Sequence, residues 1–320
     1  MKKLLALTTA LVLSTNIAHA RDQIQITGSS TVLPYATIVA EAFGENFDFP
    51  SPVVEGGGSG AGRKKLCEGV GENTVDIANS SSKMKDEERA KCEAAIGPIT
   101  EIRIGYDGIV FASNIDQLNI DNITVEQLYN ALHESSTAKL WSDVDSTLPE
   151  VAILAYIPGT KHGTREVFDV KVMEDGCKAA LGIEKLDDDQ KKACVKVRTD
   201  GAAVDIDGDY TETLARLDAN KTSLGVFGLS FYQNNTDKLE VATVSGVFPS
   251  VETISSGDYP ISRPLFFYVK NAHIGVIPGL KEYVEFFVSD EMAGPGSALA
   301  DYGLVPDPEL ATTQEAVSSW

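Results

Sequence analysis

Four times along this chain a short apolar stretch gives way to a loop of glycine, serine and threonine, and the loop to a helical pattern. The loops read Thr27-Gly28-Ser29-Ser30-Thr31-Val32, Gly56-Gly57-Gly58-Ser59-Gly60, Asn79-Ser80-Ser81-Ser82 and His162-Gly163-Thr164-Arg165. Repeated strand–loop–helix order restricts the chain to an α/β architecture with parallel or mixed sheets. It also carries chemistry. A helix start presents unpaired N–H groups and a partial positive charge. Several such starts converging beyond the carboxyl ends of strands form an oxyanion site.

Strands are predicted over Ile24–Thr27, Pro52–Glu55, Val75–Ala78, Val151–Tyr156, Leu224–Phe227 and Pro264–Val269, and over Glu101–Ala112 with an interruption at Tyr106-Asp107-Gly108. Helices are predicted near Leu33–Phe43, Ser59–Glu68, Asp86–Ala95, Val125–Leu132, Gly163–Val172, Tyr210–Asp218 and Leu280–Val288. No Pro/Gly/Ser-rich linker splits the chain into consecutive halves. Two discontinuous domains fit better, residues 21–105 plus 264–320 and residues 106–263, with crossings near Gly105–Gly108 and Ser256–Arg263.

Residues 1–20 carry Met1-Lys2-Lys3, an apolar run from Leu4 to Leu13 and a polar tail ending Ala18-His19-Ala20. This is the pattern of a signal peptide cleaved after Ala20, and the apolar run falls short of the ~20 residues that a membrane span needs. The expected location is therefore periplasmic, with Arg21 as the first mature residue. The full chain has 27 basic and 47 acidic residues, a formal charge of -20, and losing Lys2 and Lys3 takes it to -22. No basic stripe exists to neutralise a nucleic-acid backbone, so that class of partner is excluded. The acidic balance does not exclude a small anion, because screening over ~8–10 Å leaves a buried ligand to short-range hydrogen bonds. The mature cysteines are Cys67, Cys92, Cys177 and Cys194. An even number in an exported chain favours disulfides. Cys67–Cys92 and Cys177–Cys194 are the favoured pairs, since each closes a short loop within one predicted domain.

Each loop also has a plainer role. Ser29, Ser30 and Thr31 are natural helix caps, and glycines in the second loop suit a simple turn as well as a close approach to a ligand. Arg165 at a helix start opposes the helix dipole, which points to a ligand anion or, on the plainer reading, to a salt bridge with a nearby carboxylate. Other motifs fail. Gly57–Gly62 has the first spacing of a phosphate-binding P-loop, but Arg63-Lys64 replaces the required Lys-Ser/Thr. Ala61 breaks a nucleophile elbow at Ser59. Asp205–Asp209 resembles a calcium loop, but Arg216 stands where its last ligand, a glutamate, belongs. His133, His162 and His273 show no metal spacing, and His133 and His273 are expected at the surface. No cofactor and no catalytic residue is expected.

The run Ile26–Pro34, together with Gly58-Ser59-Gly60, Val75–Ala78, Tyr106–Val110, Trp141–Asp143, Gly163-Thr164-Arg165, Gly225–Gly228 and Tyr259–Leu265, resembles the periplasmic phosphate-binding proteins of phosphate ABC transporters. The resemblance covers nearly the whole mature chain. It implies a two-domain periplasmic-binding-protein clamshell with mixed sheets and a two-crossover hinge. It also implies a monomer that holds dehydrated inorganic phosphate between its domains and hands it to a membrane permease. By similarity the phosphate contacts would be Ser30, Thr31, Val32, Ser59 and Ser81 from one domain and His162, Gly163, Thr164 and Arg165 from the other.

The chain departs from the family pattern in several places. Where some members carry an aspartate that accepts the proton of hydrogen phosphate, this chain has Ser81. Asp107, or alternatively Asp76, is expected to take that role. The acceptor matters because sulfate has no such proton and would leave it unpaired. His162 stands where serine is usual, and Pro158 where some members have a phosphate-binding arginine. Arg165, in preference to Arg198, is expected to supply that charge. A binding protein for sulfate, molybdate or a phosphonate, an exported phosphatase, and a surface adhesion or scavenging role stand as alternatives.

Overall fold

The computed structural model describes residues 21–160, 163–207 and 210–320. The signal segment and His162 lie outside the described residues. In chain order the strands are β1 (Gln25–Gly28), β2 (Val53–Glu55), β3 (Ile77–Ser80), β4 (Ile99–Asn114), β5 (Asn122–Ile123) and β6 (Ala155–Pro158). They continue with β7 (Ala203–Ile206), β8 (Leu224–Gly228), β9 (Leu239–Val241), β10 (Thr243–Val244), β11 (Ser262–Lys270) and β12 (Leu304–Val305). One mixed sheet runs in the order β2-β1-β3-β11-β4-β8-β6-β7, with β9 and β12 also pairing to β4. Parallel pairs (β1 with β2 and β3, β6 with β7 and β8) flank an antiparallel centre made by β11 and β4. The mixed α/β architecture is the one read from the sequence.

The helices follow the apolar spacing of their sequences. In Leu33–Asn46, Tyr35, Ala36, Val39, Ala40 and Phe43 are buried, and Pro34 sits in the first turn, where its missing N–H has no partner to lose. Thr124 and Gln127 form a reciprocal capping box that starts Val125–Leu132. The helix Ser59–Leu66 lies close on β1 because Gly62 faces Gly28, where a Cβ would stand 2.4 Å from the Gly28 Cα.

The sequence signal for a break at Tyr106-Asp107-Gly108 is overruled. β4 runs unbroken, and these residues pair in register with Pro264, Arg263 and Ser262 of β11. A turn signal loses where strands pair the segment on both sides, here β11 and β12. Gly105, at φ +143, carries the local bend and lets β12 come close, since a Cβ there would lie 2.6 Å from the Val305 carbonyl oxygen.

Two large apolar cores flank this crossing. One gathers Ile26, Val39, Phe43, Ile104, Leu265, Phe267 and Tyr283. The other gathers Ile109, Phe111, Trp141, Ile157, Phe168, Phe227 and Tyr259. β4 leaves the first core after Ile104 and joins the second at Tyr106, and the return passage runs from Ile261 in the second to Leu265 in the first. Both expected disulfides are present, Cys67–Cys92 and Cys177–Cys194. Each stabilises the fold by about 3 kcal/mol in the loop-entropy picture.

The two histidines expected at the surface are packed inside. His273 is 2% exposed, with Nδ1 on Asp76 Oδ1 at 2.5 Å and Nε2 accepting from the Gly71 amide at 3.3 Å. His133 shares a 2.7 Å hydrogen bond with Ser135 Oγ and a 3.0 Å one with the Ala193 carbonyl. Spacing alone gave no sign of these polar partners, which come from distant segments or from a local turn.

Candidate binding site

The first loop leaves β1 at Gly28 and enters its helix at Leu33. Ser29 is the capping side chain: its Oγ accepts from the Thr31 and Val32 amides at 3.2 and 3.3 Å. Ser30 is exposed, whereas Thr31 and Val32 are fully buried. The second loop abuts the first through the Gly58 amide on the Gly28 carbonyl, 2.8 Å, and ends with Ser59 starting its helix. The third abuts both. The Ser29 amide bonds the Asn79 carbonyl at 2.9 Å, and Ser59 Oγ lies 3.1 Å from Ser81 Oγ and accepts the Ser81 amide at 3.0 Å. No helix begins directly after this third loop, since the following helix starts at Asp86. Arg63 fastens it instead, donating to Ser80 Oγ at 2.6 Å and to Glu88 at 2.8 Å. The arginine that spoils the P-loop pattern thus holds the serine loop in place.

Beneath the loops lies a charged pair that the sheet assembles. Asp107 on β4 and Arg263 on β11 are register partners, so their side chains leave the same face of the sheet. Arg263 Nη2 donates to Thr31 Oγ1 at 2.5 Å. Thr31 Oγ1 in turn donates to Glu166 Oε2, and Glu166 Oε1 lies 3.7 Å from Arg263 Nη1. Asp107 is 1% exposed, and neither of its carboxyl oxygens has a hydrogen-bond partner among the described residues; Arg263 Nε is likewise unbonded. Burial pushes the Asp107 carboxyl up to about 7, against the pull of Arg263 and with the Glu166 charge adding to the rise. Tyr35 and Tyr210 are buried phenols near enough to feel the Asp107 charge. Burial raises both phenols, and the Asp107 charge raises them further. A buried acceptor without a donor costs about 1–3 kcal/mol. One set beside a guanidinium and a hydroxyl suits a small, protonated oxyanion.

A family model described as "PBP superfamily domain" matches residues 14–291. The phosphate-binding protein PstS of Staphylococcus haemolyticus is 30% identical over 295 residues, spanning 90% of this chain and 82% of that one. The chain belongs to the PstS family of the PBP superfamily. The PstS of Staphylococcus aureus is similar at 29% identity, over 88% of this chain and 77% of its own. Among solved structures, a possible phosphate-binding protein from Planctomyces limnophilus superposes with a TM-score of 0.72 at 25% identity, covering 93% of this chain and 98% of that one. PstS from Borrelia burgdorferi shares the fold, with a TM-score of 0.57 at 22% identity over 84% of this chain and 93% of its own.

Against this PstS frame, the structure brings some of the expected residues together and commits others elsewhere. Thr31, Val32, Ser59 and Ser81 adjoin through the loop contacts above. Thr164 is buried, beside Tyr210. Arg165, the expected ligand cation, is committed: Nε bonds Asp169 and Nη1 bonds Asp205, both at 2.7 Å, with the Pro158 carbonyl at 3.1 Å. These carboxylates offset the conflict with the helix start that had suggested a ligand. Arg198 is spent on Asp200 and on the carbonyls of Ala131 and Ala138. Asp76 is spent as well, on Arg21, the Gln25 amide and His273, at the far end of β3 from Ser81. Arg263 and Glu166 carry no role in the sequence reading. Arg263 lies within the Tyr259–Leu265 segment of the resemblance, and the one available signal was a cation directly before the apolar run Pro264–Val269.

Proposed function

We propose that this protein captures inorganic phosphate outside the cytoplasm and delivers it to an ABC permease, acting as a monomeric binding protein and not as an enzyme. The observation that carries the reading is the unbonded Asp107 carboxyl facing Arg263 in the buried face beneath the serine and threonine loops. Asp107 accepts the proton of hydrogen phosphate, and Arg263 balances the charge with a planar set of donors suited to phosphate oxygens. Thr31, Val32, Ser30, Ser59 and Ser81 donate from one lobe, and Gly163 and Thr164 from the other. Arg165 supports the second set by anchoring the helix start. The lobes are residues 21–105 plus 264–320 and residues 106–263, and β4 with the Ser256–Arg263 segment is their hinge. The two apolar cores support this division. The family relatives named for phosphate binding support the ligand.

Titration calorimetry of the mature protein, stripped of ligand by unfolding and refolding, tests the reading. Saturable one-site binding of inorganic phosphate is expected, with no turnover of a phosphomonoester. A folded protein that binds no phosphate would refute it.

A further inference from the structure

Glu166 is the charged acceptor in this site that the phosphate chemistry does not require. It lies in the helical turn Gly163–Val167, whose core partners belong with Ile109 and Phe168, yet its carboxylate reaches Thr31 and Arg263. A hydroxyl has one proton to give. Thr31 Oγ1 receives the Arg263 N–H and spends its own proton on Glu166. A phosphate oxygen that takes the Thr31 proton must therefore displace Glu166. Arg263 imposes the same choice. Its Nη2 is on Thr31 and its Nη1 faces Glu166, so an oxyanion drawn to this fork meets a carboxylate already there. Asp107 adds a further conflict, because its charge and that of Glu166 oppose each other across the same guanidinium.

We propose that Glu166 is a built-in competitor of the ligand: a carboxylate that mimics the oxyanion, latches one lobe to the other through Thr31 and Arg263, and gives way when phosphate binds. It thereby sets the affinity below what the cradle alone would reach. This rests on the phosphate reading above. It assigns to Glu166 the opposite sign of effect from a ligand-holding residue.

The test compares wild type with Glu166→Gln, an isostere that keeps the volume and removes the charge. Two quantities are read: the phosphate dissociation constant by calorimetry, and the radius of gyration by small-angle scattering with and without phosphate. The variant is expected to bind phosphate roughly tenfold tighter, the size of one charge-assisted hydrogen bond no longer contested. Without phosphate it is expected to be more open than wild type, and with phosphate the two should coincide. Unchanged or weaker phosphate binding by the variant would overturn the proposal, as would identical scattering without phosphate. A purely structural role would lower thermal stability equally with and without phosphate and would leave affinity unmoved. Should wild type bind no phosphate, the reading beneath this proposal fails, while the scattering comparison still decides whether Glu166 latches the lobes.

Discussion

Asp107 and Arg263 stand opposite each other in the register of β4 and β11, 1% and 9% exposed, and the carboxylate takes no hydrogen bond from the guanidinium. Folding places an anion and a cation on one buried face without pairing them fully. A bound oxyanion that carries a proton satisfies both, accepting from the arginine and donating to the aspartate.

The two arginines of the region should behave differently. Arg263→Gln removes the charged donor proposed to hold the ligand, and phosphate affinity should fall by about ten- to a hundredfold. Arg165→Gln breaks contacts to Asp169, Asp205 and the Pro158 carbonyl. It should lower the melting temperature and affect affinity less than Arg263→Gln. Calorimetry and thermal melts on both variants check the split.

The pH dependence of stability follows from Asp107. Burial holds its carboxyl at about 7, above the ordinary 3.8. The folded protein then binds more protons than the unfolded chain between those values, so this residue's contribution is fullest below about 3.8 and is lost as pH rises through about 7. Asp107→Asn removes that slope. Melts without phosphate at pH 5 and pH 8 should show the variant gaining on wild type at the higher pH. Phosphate must be absent because binding adds stability of its own.

Asp76 is a structural carboxylate at the other end of β3. Asp76→Asn leaves Arg21 and His273 without their charged partner. Losing hydrogen bonds to a charged group of this kind costs about 1.5–3 kcal/mol. Denaturant unfolding should register the loss, while phosphate affinity of the remaining folded protein stays unchanged.

Gly62 links the fold to the site. Gly62→Ala would drive a methyl into the Gly28 backbone, 2.4 Å from its Cα, and lift the Ser59 helix from β1. Stability should fall, and phosphate affinity with it, because Ser59 holds the Ser81 amide.

Much of this was legible in the sequence, and the reasons are local. Strand periodicity, capping hydroxyls and glycine loops act over a few residues, so Val125–Leu132 and the loops between Gly28 and Ser59 lie where the pattern set them, and the first helix starts at Leu33 as expected but runs past Phe43 to Asn46. The short spans between Cys67 and Cys92 and between Cys177 and Cys194 made their pairing readable too. What was hidden depends on strand register. Arg263 meets Asp107 only because β11 lies antiparallel beside β4, although a long stretch of sequence separates them. Glu166 meets Thr31 only through the approach of two cores. Arg165 misled for a related reason: its partner Asp205 lies on β7, beside β6 in the sheet but distant in sequence.

The most direct test is calorimetric titration of wild type and Asp107→Asn with phosphate and with sulfate at pH 8, where the Asp107 carboxyl is mostly ionised and has no proton of its own to give sulfate. Wild type is expected to bind phosphate and exclude sulfate, because sulfate brings no proton to the buried carboxylate, and Asp107→Asn is expected to lose the distinction by weakening phosphate and admitting sulfate. An Asp107→Asn protein that still binds phosphate as tightly as wild type and still excludes sulfate would contradict this.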